Sequence, residues 1–190
     1  MDLAERAKIQ FGLTDDCIRS CTYLDRITRR RLANGSLPEF WESLWGILYA
    51  DSINSWCQLF GTTSNESHWT RFIENFNLDD GTCAVPIFGP ELITNHLQIE
   101  QRDWEIYHRE VVNFRNKRTS HIDHKWTVER FPDLEWALRV CALYRDWLAD
   151  FLTAWQKTSR ITNIEVRAMD AIRIYSRQIT EILDLSVPSH

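Results

Sequence analysis

The strongest constraint in this chain is its periodicity. Apolar residues recur every three or four positions over long runs. One run passes through Ile93, Leu97, Trp104, Tyr107, Val111 and Phe114, another through Leu134, Leu138, Cys141, Tyr144, Leu148, Phe151 and Trp155. Such spacing lines one face of a helix with apolar side chains. Strand-like alternation is confined to a short piece around "CAVPIF". A chain of this kind buries its stripes by packing helix on helix, which predicts an all-α bundle of about five main helices. Its 190 residues suit a single domain, 1–190.

Punctuation suggests where the helices begin and end. Thr14 precedes "DDCIRSCTYLDRITRRRLAN", with acids first, bases last and Gly35 beyond, as the helix dipole and a C-terminal glycine favour. Pro38 is expected in the first turn of a second helix that stops at Gly61, with Phe40, Leu44, Ile47, Leu48 and Trp56 on one face. A short helix follows from about Glu66 to Phe76, with Asn65 as its cap. Pro90 opens one long continuous helix reaching Phe114 and beyond, and Asp133 caps the next. The last is expected from about Asn163 to Leu185, with Ile164, Ala168, Ile172, Tyr175, Ile179 and Ile182 periodic.

Hydrophobic residues make up 44 % of the chain, enough to build a core rather than a disordered segment. A net charge of −5 argues against a general nucleic-acid coat but leaves room for a local basic site. The N-terminus lacks an apolar signal region, and no stretch approaches the roughly 18 apolar residues of a membrane span. A cytoplasmic protein without a membrane partner is therefore expected. Cys17, Cys21, Cys57, Cys83 and Cys141 show no CxxC spacing, so they read as small buried hydrophobes.

One segment departs from this plain pattern. Between Arg109 and Lys125 stand five cations (109, 115, 117, 118 and 125) against Glu110 and Asp123, a local balance of +3. If the helix continues, Arg115 and Arg118 extend the stripe of Trp104, Tyr107 and Val111, and a guanidinium there needs compensation. On an ideal helix Arg115, Arg118 and His121 step round by about 60° each, so the three can converge on one phosphate. Arginine grips phosphate oxygens bidentately and histidine exchanges a proton near neutral pH. Together they offer phosphoryl transfer without a metal or cofactor.

The string "FRNKRTSHID" resembles the Rx4–6H signature of the HEPN superfamily, especially its abortive-infection members. Arg115, the polar Asn116, and His121 after five intervening residues satisfy that pattern. "DSINSWCQLFG" in the second helix also looks like these relatives. The resemblance implies a helical bundle that dimerises so that two motifs face one cleft, often as a metal-independent endoribonuclease in phage defence or a toxin–antitoxin pair. Carried over by position, Arg115 would contact the scissile phosphate, Asn116 would orient the pair and His121 would move the proton. Lys117 and Arg118 are assigned to substrate contact, Arg118 from its helical position rather than from the signature. Some family toxins carry a tyrosine, modified by a partner enzyme, two residues after the histidine. Asp123 stands there instead.

Plainer readings compete. Arg115 and Arg118 can simply favour a helix C-terminus by ion pairing, worth about 0.3–1 kcal/mol each. The chain would then be a non-catalytic RNA-binding or protein-interaction module. His121, Asp123 and His124 can ligate a cation, although no second ligand cluster supports them. "RRRL" at 29–32 ends a helix where bases are expected, and the tryptophans Trp41, Trp45, Trp56, Trp136 and Trp147 suit a core or subunit interface better than base-stacking platforms.

Overall fold

The computed structural model describes residues 3–74, 85–119, 131–159 and 167–187. The described chain is all-α, with no strand. Five main helices carry it: α1 (Leu3–Asn34), α2 (Glu39–Phe60), α5 (Gln101–Phe114), α6 (Leu134–Ser159) and α7 (Ala168–Ser186). Two are short: α3 (Trp69–Glu74), which meets α1, and α4 (Pro90–Leu97), which meets α5 and α6. Among the described residues no helix is long and apolar enough to cross a membrane.

α1 is the spine, packing against α2, α6 and α7. It begins at Leu3 rather than after Thr14, which sits inside the helix, fully buried, with its hydroxyl bonded to the Phe11 carbonyl at 2.8 Å. The acidic pair following Thr14 therefore caps nothing. Asp15 instead pairs with Arg145 of α6 at 3.2 Å, and Asp16 pairs with Arg19. Gly35, at φ +77°, ends the helix as expected. The arginines before it are engaged: Arg29 with Asp25, Arg30 with Asp184 and the Val187 carbonyl, Arg31 with Glu42.

α2 follows Pro38, whose carbonyl accepts the Trp41 N–H. Its expected stripe is wrong at two positions, for Phe40 and Ile47 are 68 % and 65 % exposed. The real inner surface holds Trp41, Tyr49, Ile53 and Trp56. Over its last turns Ser52, Ser55, Cys57, Leu59 and Phe60 are buried too, so no single stripe exists there. The helix stops at Gly61, where an added Cβ would lie 2.4 Å from the Cys57 carbonyl oxygen. Only glycine fits that approach.

Asn65 does not cap α3; its amide donates to the Cys57 carbonyl at the end of α2. His68 stands before α3 instead, its Nδ1 accepting the Thr70 N–H at 3.3 Å. The helix predicted to run unbroken from Pro90 is two helices. Gln98 adopts a left-handed conformation (φ 60°, ψ 47°), and Ile99 N–H reaches back to the Thr94 carbonyl. No glycine or proline marks this break. In "CAVPIF" the described part is an extended strap without strand pairing. Phe88 inserts fully into the core beside Tyr144, while Trp147 Nε1 donates to the Pro86 carbonyl. Cys83 lies outside the described residues.

α6 begins as Asp133 predicts, its carboxylate accepting the Glu135 N–H at 2.8 Å. It presents Val140, Cys141, Tyr144, Leu148 and Phe151 to the core; the Trp155 side chain lies outside the described residues. α7 lies on α1 through Ala168, Ala171, Ile179 and Leu183, whereas Ile182 is exposed and Ile164 lies outside the described residues. Cys17, Cys21, Cys57 and Cys141 are buried and free, and burial helps to raise the pKa of each.

Two histidines converge where α2 ends. His108 Nε2 lies 2.6 Å from the Phe60 carbonyl, and His68 interacts with the same carbonyl. Burial first, then the neighbouring His108, pushes His68 down to about 4. The unfolded chain therefore binds more protons than the folded one between pH 6.5 and 4. This contribution is intact above pH 6.5 and is lost as the pH falls, by about 2 kcal/mol at pH 5. Urea unfolding of wild type and His68→Asn, which keeps a capping acceptor but cannot titrate, measures it. The wild-type advantage should shrink by that amount between pH 7 and 5; a constant difference would mean His68 is not held neutral.

Candidate functional site

The site is built at the C-terminus of α5. Trp104, Tyr107, Val111 and Phe114 are all buried and lock that helix to the core. At Arg115 the helix widens into a π-helical turn, Arg115–Thr119, which packs on α2. The Arg115 N–H is shared between the carbonyls of Val111 and Val112 as the helix changes pitch. Single π turns inside α-helices occur frequently at functional sites. Within Arg115–Thr119 the π turn replaces the α-helical step assumed between Arg115 and Arg118, and the step on to His121 lies outside the described residues.

Arg115 is half-buried, whereas Asn116 and Lys117 are exposed. The Arg118 side chain lies outside the described residues, as do His121, Asp123, His124 and Lys125. Arg115 is close enough to α2 for its charge to act on the Cys57 thiol. Burial raises that thiol to about 12, and the guanidinium opposes the rise. A guanidinium is thus held at the edge of the core beside a neutral thiol, with polar residues directly after it.

Tyrosines pin the chain where it returns to the bundle. Tyr49 of α2 donates to the Pro132 carbonyl at 2.6 Å, and Tyr107 of α5 donates to the Asp133 carbonyl at 2.7 Å. Phe131 packs 5.5 Å from Phe114, 5.1 Å from Tyr49 and 5.8 Å from Trp45, ring centre to ring centre. Phe114, before the charged string, and Phe131, after it, therefore meet in one aromatic cluster. On its far side a groove of about 490 Å³ runs along α2, floored by Gly46, Ala50 and Asn54. Among the described residues, no group of three or more His, Cys, Asp or Glu gathers closely enough to hold a metal ion.

Reading the sequence missed the His68–His108 convergence and this groove. The groove had one available signal, a glycine in mid-helix at position 46. No protein-family model, curated protein or solved structure matches the chain.

Proposed function

We propose that the protein is a metal-independent endoribonuclease of the HEPN type. The observation that carries this reading is the setting of Arg115. The arginine that opens the R-N-x4-H string stands half-buried at a change from α to π geometry on α2, followed by exposed Asn116 and Lys117. Arg115 would stabilise the charge that builds on the scissile phosphate. Asn116 would orient the pair, and Lys117 and Arg118 would hold flanking backbone. His121, six residues beyond Arg115 in the chain, would take the proton from the attacking ribose 2′-hydroxyl or give one to the leaving oxygen. The 2′-oxygen attacks phosphorus and the 5′-oxygen leaves, giving a 2′,3′-cyclic phosphate and a 5′-hydroxyl. The protein would act in the cytoplasm as a homodimer with two strings facing one cleft, in phage defence or restrained by an antitoxin.

Purified wild type and His121→Ala, matched for helicity by circular dichroism, should be incubated with total RNA in EDTA. Cleavage to cyclic phosphate ends is expected from wild type, with a loss of about 10²–10⁴-fold in the variant. Equal cleavage by both would remove His121 from the chemistry. Absence of cleavage in both would favour a non-catalytic RNA-binding or interaction module.

A further inference from the structure

The groove on α2 borders the proposed phosphate site and remains without a role. Its floor is unusual in sequence. Gly46 lies inside a 22-residue helix, where glycine costs about 1 kcal/mol relative to alanine. Among the described residues, a Cβ at Gly46 would meet no atom within 4 Å. The small side of the helix therefore leaves a groove open among the described residues.

The walls say what fits. Trp45 and Tyr49 stack at 5.2 Å with planes 22° apart, and Trp45 is fixed by its Nε1–H bond to Thr28 Oγ1. Phe131 closes the side and Phe114 the inner end. Phe114 immediately precedes Arg115, and Asn54 lies one turn before Cys57, the thiol on which Arg115 acts. The groove thus lies next to the cationic turn, sharing with it the end of α5 and the same stretch of α2. It has a narrow floor and aromatic walls, and Asn54 contributes an amide with both donor and acceptor.

We infer that this groove is a nucleobase subsite. It takes an unpaired base of single-stranded RNA next to the cleaved phosphate, against the aromatic wall and with its edge toward Asn54. Unpaired bases are recognised by such stacking and edge contacts, and the neighbouring arginine and lysine complement the phosphates of the same strand. The inference rests on the ribonuclease reading, and it gives that activity a preference for unpaired RNA.

Gly46→Leu puts a side chain into the groove: leucine is a better helix former, its Cβ meets no described atom within 4 Å, and an unchanged urea midpoint checks that the fold is kept. Wild type and Gly46→Leu should be tested on short labelled single-stranded RNAs, intact or abasic at single positions, in EDTA. Anisotropy reads binding and gel analysis reads cleavage. Wild-type affinity for intact RNA should fall about 10-fold or more in the variant. One abasic position should cost wild type a similar factor and cost Gly46→Leu nothing further. Base-independent binding, or an equal loss on intact and abasic RNA, overturns the subsite. Base-dependent binding without cleavage keeps the subsite and rejects the nuclease; cleavage unaffected by Gly46→Leu does the reverse. Sedimentation velocity supplies the last arm: a dimer that Gly46→Leu converts to monomer would make this face a subunit contact and overturn the proposal.

Discussion

Arg115→Lys is expected to lose about 10²–10³-fold in kcat/KM on RNA while the fold stays within about 1 kcal/mol of wild type. The substitution keeps the positive charge, so long-range attraction for RNA survives. What disappears is the planar fork that holds two phosphate oxygens at once. Because Arg115 is half-buried where α5 changes pitch, its direction is set by the backbone of the π turn and by α2. A lysine placed there presents a flexible point charge instead. Urea midpoints, RNA affinity at two salt concentrations and cleavage rates should be measured together. A rate loss with unchanged midpoint and unchanged salt dependence assigns the guanidinium to the transition state. A fall in the midpoint with proportional loss of activity assigns it to the helix end, and near-wild-type activity removes it from the site.

The second large effect lies in the core. Arg145 is only 4 % exposed, and three kinds of neighbour surround its guanidinium. Asp15 is 3.2 Å away, the Phe11 carbonyl and Thr14 hydroxyl are each at 3.4 Å, and the Phe11 ring centre is at 5.4 Å. Asp15 is itself bonded by Tyr175 at 2.6 Å. Removing one member of a buried ion pair strands the other charge, which costs about 3–5 kcal/mol. Asp15→Asn should fall near 3 kcal/mol, because Asp15 keeps about a third of its surface in water. Arg145→Met deletes the buried charge itself and should cost about 1 kcal/mol, leaving Asp15 its tyrosine and solvent. The double variant should resemble Arg145→Met. Urea unfolding of the three proteins decides the matter: equal losses for the two single variants would mean that desolvation of the guanidinium is unimportant.

The class of fold was legible because periodicity depends only on which residues seek the core. The spans from Pro38 to Gly61 and from Asp133 onward were legible for the same reason, since turn and cap residues mark their ends. Other boundaries were hidden. "TDD" carries the local chemistry of a cap, yet tertiary partners claim it: Arg145 takes Asp15, and the helix runs straight through. The break at Gln98 is unmarked by glycine or proline, because a left-handed residue there is stabilised by the return of Ile99 to Thr94. Phe40 and Ile47 fit a stripe by spacing and still face outward, since α2 rotates its aromatic face, Trp41, Tyr49 and Trp56, inward instead.

For the site, the residue types carried the information. Arginine, asparagine and histidine in that order suggested phosphate chemistry before any geometry. What the string could not convey was pitch: a π turn has no distinctive residue pattern in "RNKRT", so the α-helical step assumed from Arg115 to Arg118 does not describe the backbone there. The groove was invisible for a different reason. It is made by α2, by Phe114 and by Phe131, segments far apart in the chain, and only the interior glycine at 46 hinted at it.

The position of α1 has a consequence for how this protein comes into being. The first helix is completed by the last: Asp15 meets Tyr175 across 160 residues of chain, and Tyr23 meets Gln178 across 155. Most helical bundles fold quickly because their contacts are local; this one closes on α1 only when α7 exists. At ribosomal speeds of about 5–20 residues per second, the side of α1 meant for α7 waits roughly 10–30 s for its partner. During translation the nascent chain carries an uncovered apolar seam on α1, and the bundle closes only once α7 has been made.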